Sequence, residues 1–96
     1  MLELRQTEAF EAWLGDLPDE RARNRINARI GRLERGLFGD VKSVGGGVSE
    51  MRLDYGPGYR LYFTRRGQVI VILLCGGDKG SQAKDIRLAR SLAQDL

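Results

Sequence analysis

Seven consecutive apolar residues, Val69–Cys75, set the tightest limit on what this chain can become. The run is far shorter than the roughly 20 residues a membrane helix needs. It has no polar residue at alternate positions, so it reads as a central strand covered on both faces.

The segments before it alternate instead. In Val48–Tyr55, Met51 and Leu53 point one way and Glu50, Arg52 and Asp54 the other. In Tyr59–Arg65, Tyr59, Leu61 and Phe63 share a face, and Arg60, Tyr62 and Thr64 share the opposite one. Gly56-Pro57-Gly58 and Arg66-Gly67 are tight-turn signals, which makes these three strands an antiparallel meander. Val41–Val44 is a further short strand, followed by Gly45-Gly46-Gly47 as a turn or flexible link.

Helical spacing governs the two flanks. After an extended start at Leu2–Arg5, Thr7 is placed to cap a helix with Glu8 and Glu11 in its first turn. Phe10, Trp13, Leu14 and Leu17 form its buried face, and Gly15 ends it. Pro18 suits the first turn of a second helix, whose core stripe is Ala22, Ile26, Ile30, Leu33 and Leu37. Arg21, Arg25, Arg29 and Arg32 run beside that stripe, either as a solvated shoulder or as a contact for phosphates or an acidic partner. Gly76–Gly80 reads as a loop. Ser81 then caps a last helix with Ile86, Ala89, Leu92, Ala93 and Leu96 toward the core.

The expected fold is α+β in one domain, residues 1–96, with the order β-α-α-β-β-β-β-α. Its small, antiparallel-rich sheet carries the two N-terminal helices on one face. If Met51, Leu53, Leu61 and Phe63 meet those helices, Arg52, Arg60 and Tyr62 lie on the other face.

Charge is unevenly placed along the chain. Residues 1–20 hold one basic and six acidic side chains, whereas residues 21–60 hold nine basic and four acidic. A basic body suits a polyanionic partner, and it also suits a plain solvated surface. With no histidine and one cysteine, the usual zinc sites and histidine-based triads are excluded. A lone cysteine without a signal-peptide pattern suits a reducing cytoplasm.

Arg52 and Arg60 on adjacent strands are unfavourable unless an anion lies between them, or unless Glu50 or Asp54 offsets them. Tyr62 beside them is suited to stack a base or donate to a phosphate. Lys79 adds a cation near the last helix. Asp85 is either a catalytic carboxylate or a helix-dipole partner. Ser49, Ser81 and Cys75 lack a base that would make them nucleophiles, and Cys75 reads as a core residue.

The segment Gly47–Phe63, with Glu50, Met51, Arg52, Leu53, Tyr55, Gly56, Pro57, Gly58, Tyr59, Arg60 and Leu61, resembles the central hairpin of the RelE/ParE toxin superfamily. Leu73–Lys79 followed by Gln82, Asp85 and Ile86 resembles its HigB-like, addiction-module killer branch. The likeness spans nearly the whole chain; Gly80 stands where serine or threonine is expected. It implies a RelE-like fold and the toxin of a type II toxin–antitoxin pair. Such a toxin enters the ribosome and cleaves mRNA by attack of the ribose 2′-OH on the adjacent phosphate, without a metal or other cofactor.

By this resemblance Arg60, Lys79 and Arg52 are the catalytic residues; Tyr62 and Gln82 beside them, and Arg32 of the arginine stripe, are the expected RNA contacts. The C-terminal acid–base tyrosine of some members has no counterpart after Tyr62. The implied partners are a helix-turn-helix antitoxin, in a heteromeric complex, and the ribosome with its mRNA, but no membrane. A ParE-like gyrase inhibitor and a degenerate antitoxin-binding module are the alternatives.

Overall fold

The computed structural model describes residues 1–96. Its elements run β1 (Glu3–Gln6), α1 (Glu8–Asp16), α2 (Glu20–Glu34), β2 (Val41–Gly45), β3 (Val48–Leu53), β4 (Tyr59–Arg66), β5 (Ile70–Asp78), a 3-10 turn (Lys79–Ser81) and α3 (Gln82–Gln94). The five strands form one mixed sheet in the order β1-β5-β4-β3-β2. β2 to β5 are antiparallel neighbours, and β1 joins β5 in parallel. No helix is long and apolar enough to cross a membrane.

The alternation in β3 and β4 sorts their side chains between two cores. Met51, Leu53, Tyr59, Leu61 and Phe63 pack with Phe10 of α1 and with Ala22, Ile26 and Leu33 of α2. On the opposite face Val48, Tyr62, Ile72, Leu74 and Cys75 pack with Ala89 and Ala93 of α3. β5 is therefore covered on both sides, and this accounts for its unbroken apolar run. Thr7 caps α1 as expected, its hydroxyl oxygen accepting from the Phe10 amide.

Several boundaries fall elsewhere than the sequence suggests. α1 runs past Gly15 to Asp16, and Asp19, not Pro18, starts α2 by accepting from the amides of Arg21 and Ala22. Leu37 and Leu96, expected in the core, are exposed. Ser81 makes no capping bond to α3; Asp78 is the capping side chain and accepts from Gly80 and Ser81.

The largest difference concerns Gly76 and Gly77, which read as loop but continue β5. The ladder pairs Tyr62 with Cys75 and Phe63 with Leu73, leaving Leu74 as an inserted residue. This bulge turns both Leu74 and Cys75 toward α3. Gly76 then faces α1, where a Cβ would lie 2.3 Å from the Trp13 ring. Gly77 faces α3, where a Cβ would lie 1.8 Å from the Asp85 carboxylate. Glycine is needed here for close approach of a side chain to the strand, not for a turn.

Gly76→Ala is expected to destabilise the fold by roughly 1–3 kcal/mol through overpacking against Trp13. Gly31→Ala, in α2 with nothing within 4 Å of the added methyl, is expected to stabilise it by about 0.5–1 kcal/mol. Urea denaturation midpoints at unchanged slope measure both.

Candidate functional site

The ladder sets Arg52 directly opposite Arg60, and Glu50 directly opposite Tyr62. All four side chains lie on the α3 face, as the alternation requires. The Glu50 carboxylate is completely buried. It accepts from Arg52 Nε at 3.1 Å, from the Tyr62 hydroxyl at 3.1 Å and from Gln82 Nε2 at 2.7 Å. Burial alone would raise its pKa. The hydrogen bonds from Gln82, Arg52 and Tyr62 and the charge of Arg60 outweigh burial and hold it below its usual 4.5. Glu50 is thus an ionised counter-charge beneath the arginines, one of the two offsets the sequence left open. Asp54, the other, forms no ion pair.

Arg60 is 9% exposed, and its buried Nε has no hydrogen-bond partner. No carboxylate comes within 4.0 Å of it, since the only ion pairs are Arg5–Glu3 and Arg52–Glu50. Arg60, Arg52 and Lys79 line one open cavity of about 470 Å³ with Arg29, Asp40, Leu53, Asp54 and Gly58. Four cations against two carboxylates leave its wall positive. Arg29 enters from α2, anchored by Nη1 to the Arg52 carbonyl at 3.2 Å and by Nη2 to the Phe38 carbonyl at 3.3 Å. Its burial, and then the charge of Arg32, lower its pKa, while Asp40 opposes the shift.

Of the six residues singled out in the sequence, the structure brings Arg52, Arg60 and Lys79 to this cavity. Tyr62 is corrected: it is wholly buried and its hydroxyl is committed to Glu50, so its ring has no face free for a base. Burial, then the Glu50 charge, push its pKa well above the usual tyrosine value. Gln82 is half-buried and spends its amide on Glu50, which makes it a support of the site.

Arg32 is exposed on α2 and lines an adjoining hollow with Arg25, Arg29 and Tyr55, not the Arg60 cavity. The two hollows share Arg29, Leu53 and Asp54, so the basic surface is continuous between them. In that second hollow the Arg25 guanidinium sits 4.4 Å above the Tyr55 ring.

Asp85 lies outside the cavity. It is buried beside Gly77, and Ser81 Oγ donates to it at 2.5 Å. Cys75 is a core residue, as expected, and burial followed by the Asp85 charge push its thiol up to about 12. Glu50 and Arg29 are the members that sequence reasoning underweighted. The signal for Glu50 was its place on the Arg52 and Tyr62 face, and the signal for Arg29 was its place in the arginine stripe.

A folded-state pKa below the unfolded one means that Glu50 stabilises the protein above pH 4.5 and loses this contribution as pH falls through the lowered value. Urea titrations at pH 6 and pH 3 are expected to show that loss, and Glu50→Gln to remove part of the slope. At pH 7 Glu50→Ala is expected to cost about 3 kcal/mol by stranding Arg52 and Arg60 without their counter-charge.

No protein-family model matches the sequence. An uncharacterized protein of Haemophilus influenzae is 52% identical over 95 residues, covering 99% of this chain and 96% of that protein. At that identity and coverage, the chain belongs to the same family as the Haemophilus influenzae protein.

Proposed function

We propose that this protein is the toxin of a type II toxin–antitoxin pair, of the RelE/ParE kind and closest to its HigB-like branch, and that it cleaves mRNA on the ribosome in the cytoplasm. One observation carries the reading. Arg52, Arg60 and Lys79 come from three separate segments to line one cavity, and Arg60 reaches it without a carboxylate partner and with an unsatisfied Nε. A phosphodiester is the ligand such a group fits, because arginine forks match phosphate oxygens and Leu53 is the one apolar side chain in the cavity wall.

In this reaction the ribose 2′-OH attacks the adjacent phosphorus and the bond from phosphorus to the 5′ oxygen breaks. The products are a 2′,3′-cyclic phosphate and a 5′-hydroxyl. The 2′ proton is lost and a proton is gained by the leaving oxygen. Negative charge grows on the equatorial oxygens of the pentacoordinate phosphorus, and Arg60 stabilises it with Lys79 and Arg52 around it. Glu50, Tyr62 and Gln82 hold Arg52 in place from below. Acid–base catalysis contributes typically ~10²–10⁴-fold, so electrostatics and positioning of the RNA by the ribosome carry the larger share. A helix-turn-helix antitoxin is the proposed neutralising partner.

Brief induction in cells followed by mapping of RNA 5′ ends tests the proposal. New ends inside translated codons are expected, and Arg60→Ala is expected to reduce them by roughly 10²-fold or more. Growth arrest with intact mRNA and inhibited supercoiling would instead establish a gyrase inhibitor.

A further inference from the structure

A second basic cleft lies at the other end of β4. It occupies about 560 Å³ between the β2–β3 turn, the end of β4 and the last turns of α3. Gly46, Gly47, Thr64, Arg66, Arg90 and Gln94 line it, and Ala93 is the one apolar side chain in its wall. Arg66 Nη2 donates to the Ala93 carbonyl at 3.0 Å, and Arg90 Nε donates to the Val44 carbonyl at 2.9 Å. Each guanidinium is thus anchored to the backbone at one side of its fork, with other N–H groups left over. Neither has a carboxylate within 4.0 Å. Arg65 also borders the cleft, but its guanidinium sits 5.2 Å above the Phe38 ring.

We infer that this cleft is a phosphate-binding site for the backbone of a single-stranded nucleic acid, separate from the Arg60 cavity. Both arginines are exposed, and two anchored cations with no carboxylate within 4.0 Å leave the cleft positive, which favours an anionic ligand. Hot spots of protein interfaces combine arginine with tryptophan and tyrosine, and this wall holds arginines but no aromatic side chain. Backbone phosphates need only charge and hydrogen-bond donors. Arg60 and Arg66 are six positions apart on one strand, about 20 Å at a strand rise of ~3.3 Å. α3 covers Tyr62 and Thr64 between them, so a strand joining the two sites passes around the helix and needs more than the roughly six nucleotides that about 20 Å takes at ~3.4 Å each. The inference needs a polynucleotide ligand but not the cleavage reaction.

The test uses the full chain and a fluorescent twelve-nucleotide 2′-O-methyl RNA, which cannot be cut by 2′-OH attack, with affinity read by anisotropy across a salt series. The double variant Arg66→Gln, Arg90→Gln keeps an amide donor for each carbonyl but removes both charges. It is expected to weaken binding at least 10-fold. It should also reduce the slope of log affinity against log salt by about 1.4, two phosphates' worth for a single strand. The charge-matched control Arg35→Gln, Lys42→Gln, on exposed residues outside both clefts, is expected to change affinity less than 3-fold.

Equal losses in the two double variants would reduce the effect to net charge and overturn the inference. So would displacement of the RNA by a twelve-residue oligoglutamate whose own binding falls with the Arg66 and Arg90 charges. Should the variant fail to fold, wild-type protein treated with an arginine-selective dicarbonyl reagent decides the matter. Bound RNA must slow modification of Arg66 and Arg90, and unchanged rates refute the site. Loss of cleavage in Arg60→Ala bears on the other cavity alone, so the two readings fail independently.

Discussion

Arg52 and Arg60 face each other across the β3–β4 ladder, and two guanidiniums at that spacing repel unless negative charge lies beside them. Glu50 supplies the charge from within the core, where a carboxylate is tolerated only when it is paired and hydrogen-bonded. Tyr62 from β4 and Gln82 from α3 complete its shell. One buried oxygen pair therefore ties β3 to β4 and the sheet to α3, while fixing the floor of the basic cavity. The same contacts that make the fold specific give the arginines their positions. Arg60 remains the exception, with its Nε unsatisfied at the edge of an otherwise balanced cluster.

A strand that can meet helices on both of its faces makes this arrangement possible. The bulge at Leu74 re-aims the end of β5, so that Gly76 meets Trp13 and Gly77 meets Asp85. α3 approaches closely enough there for Ser81 to reach Asp85 and for Cys75 to donate to the Asp85 carbonyl. The turn carrying Lys79 is thereby held beside Gly58 and the mouth of the cavity.

Periodicity alone made most of the architecture legible. Period-two alternation put Met51, Leu53, Leu61 and Phe63 on one face, which the structure packs against α1 and α2, and the unbroken run marked β5 as an interior strand. The failures have local causes. Glycines required for close approach cannot be told from turn glycines in a single sequence, so Gly76 and Gly77 read as loop. Leu37 continued the helical spacing of α2 past the end of the helix at Glu34. In the site, the charged residues were legible because charge on a sheet face is conspicuous. Tyr62 was misjudged because its face was taken to be open, whereas α3 covers it and turns a base-stacking candidate into a buried donor.

The parallel pairing of β1 with β5 favours a particular order of assembly. The hairpins β2–β3, β3–β4 and β4–β5 join neighbours in the chain and close short loops. The Thr7 hydroxyl, by contrast, donates to the Leu74 carbonyl across 67 positions, and closing a loop of that length costs on the order of 4 kcal/mol of chain entropy. Local hairpins form faster than such distant contacts. During synthesis the meander can assemble before the N-terminal strand returns to it. In that interval β5, the most apolar strand of the protein, is itself an open sheet edge. The nascent chain is most exposed to strand-to-strand association with its own copies then, and the four residues of β1 are what end that exposure.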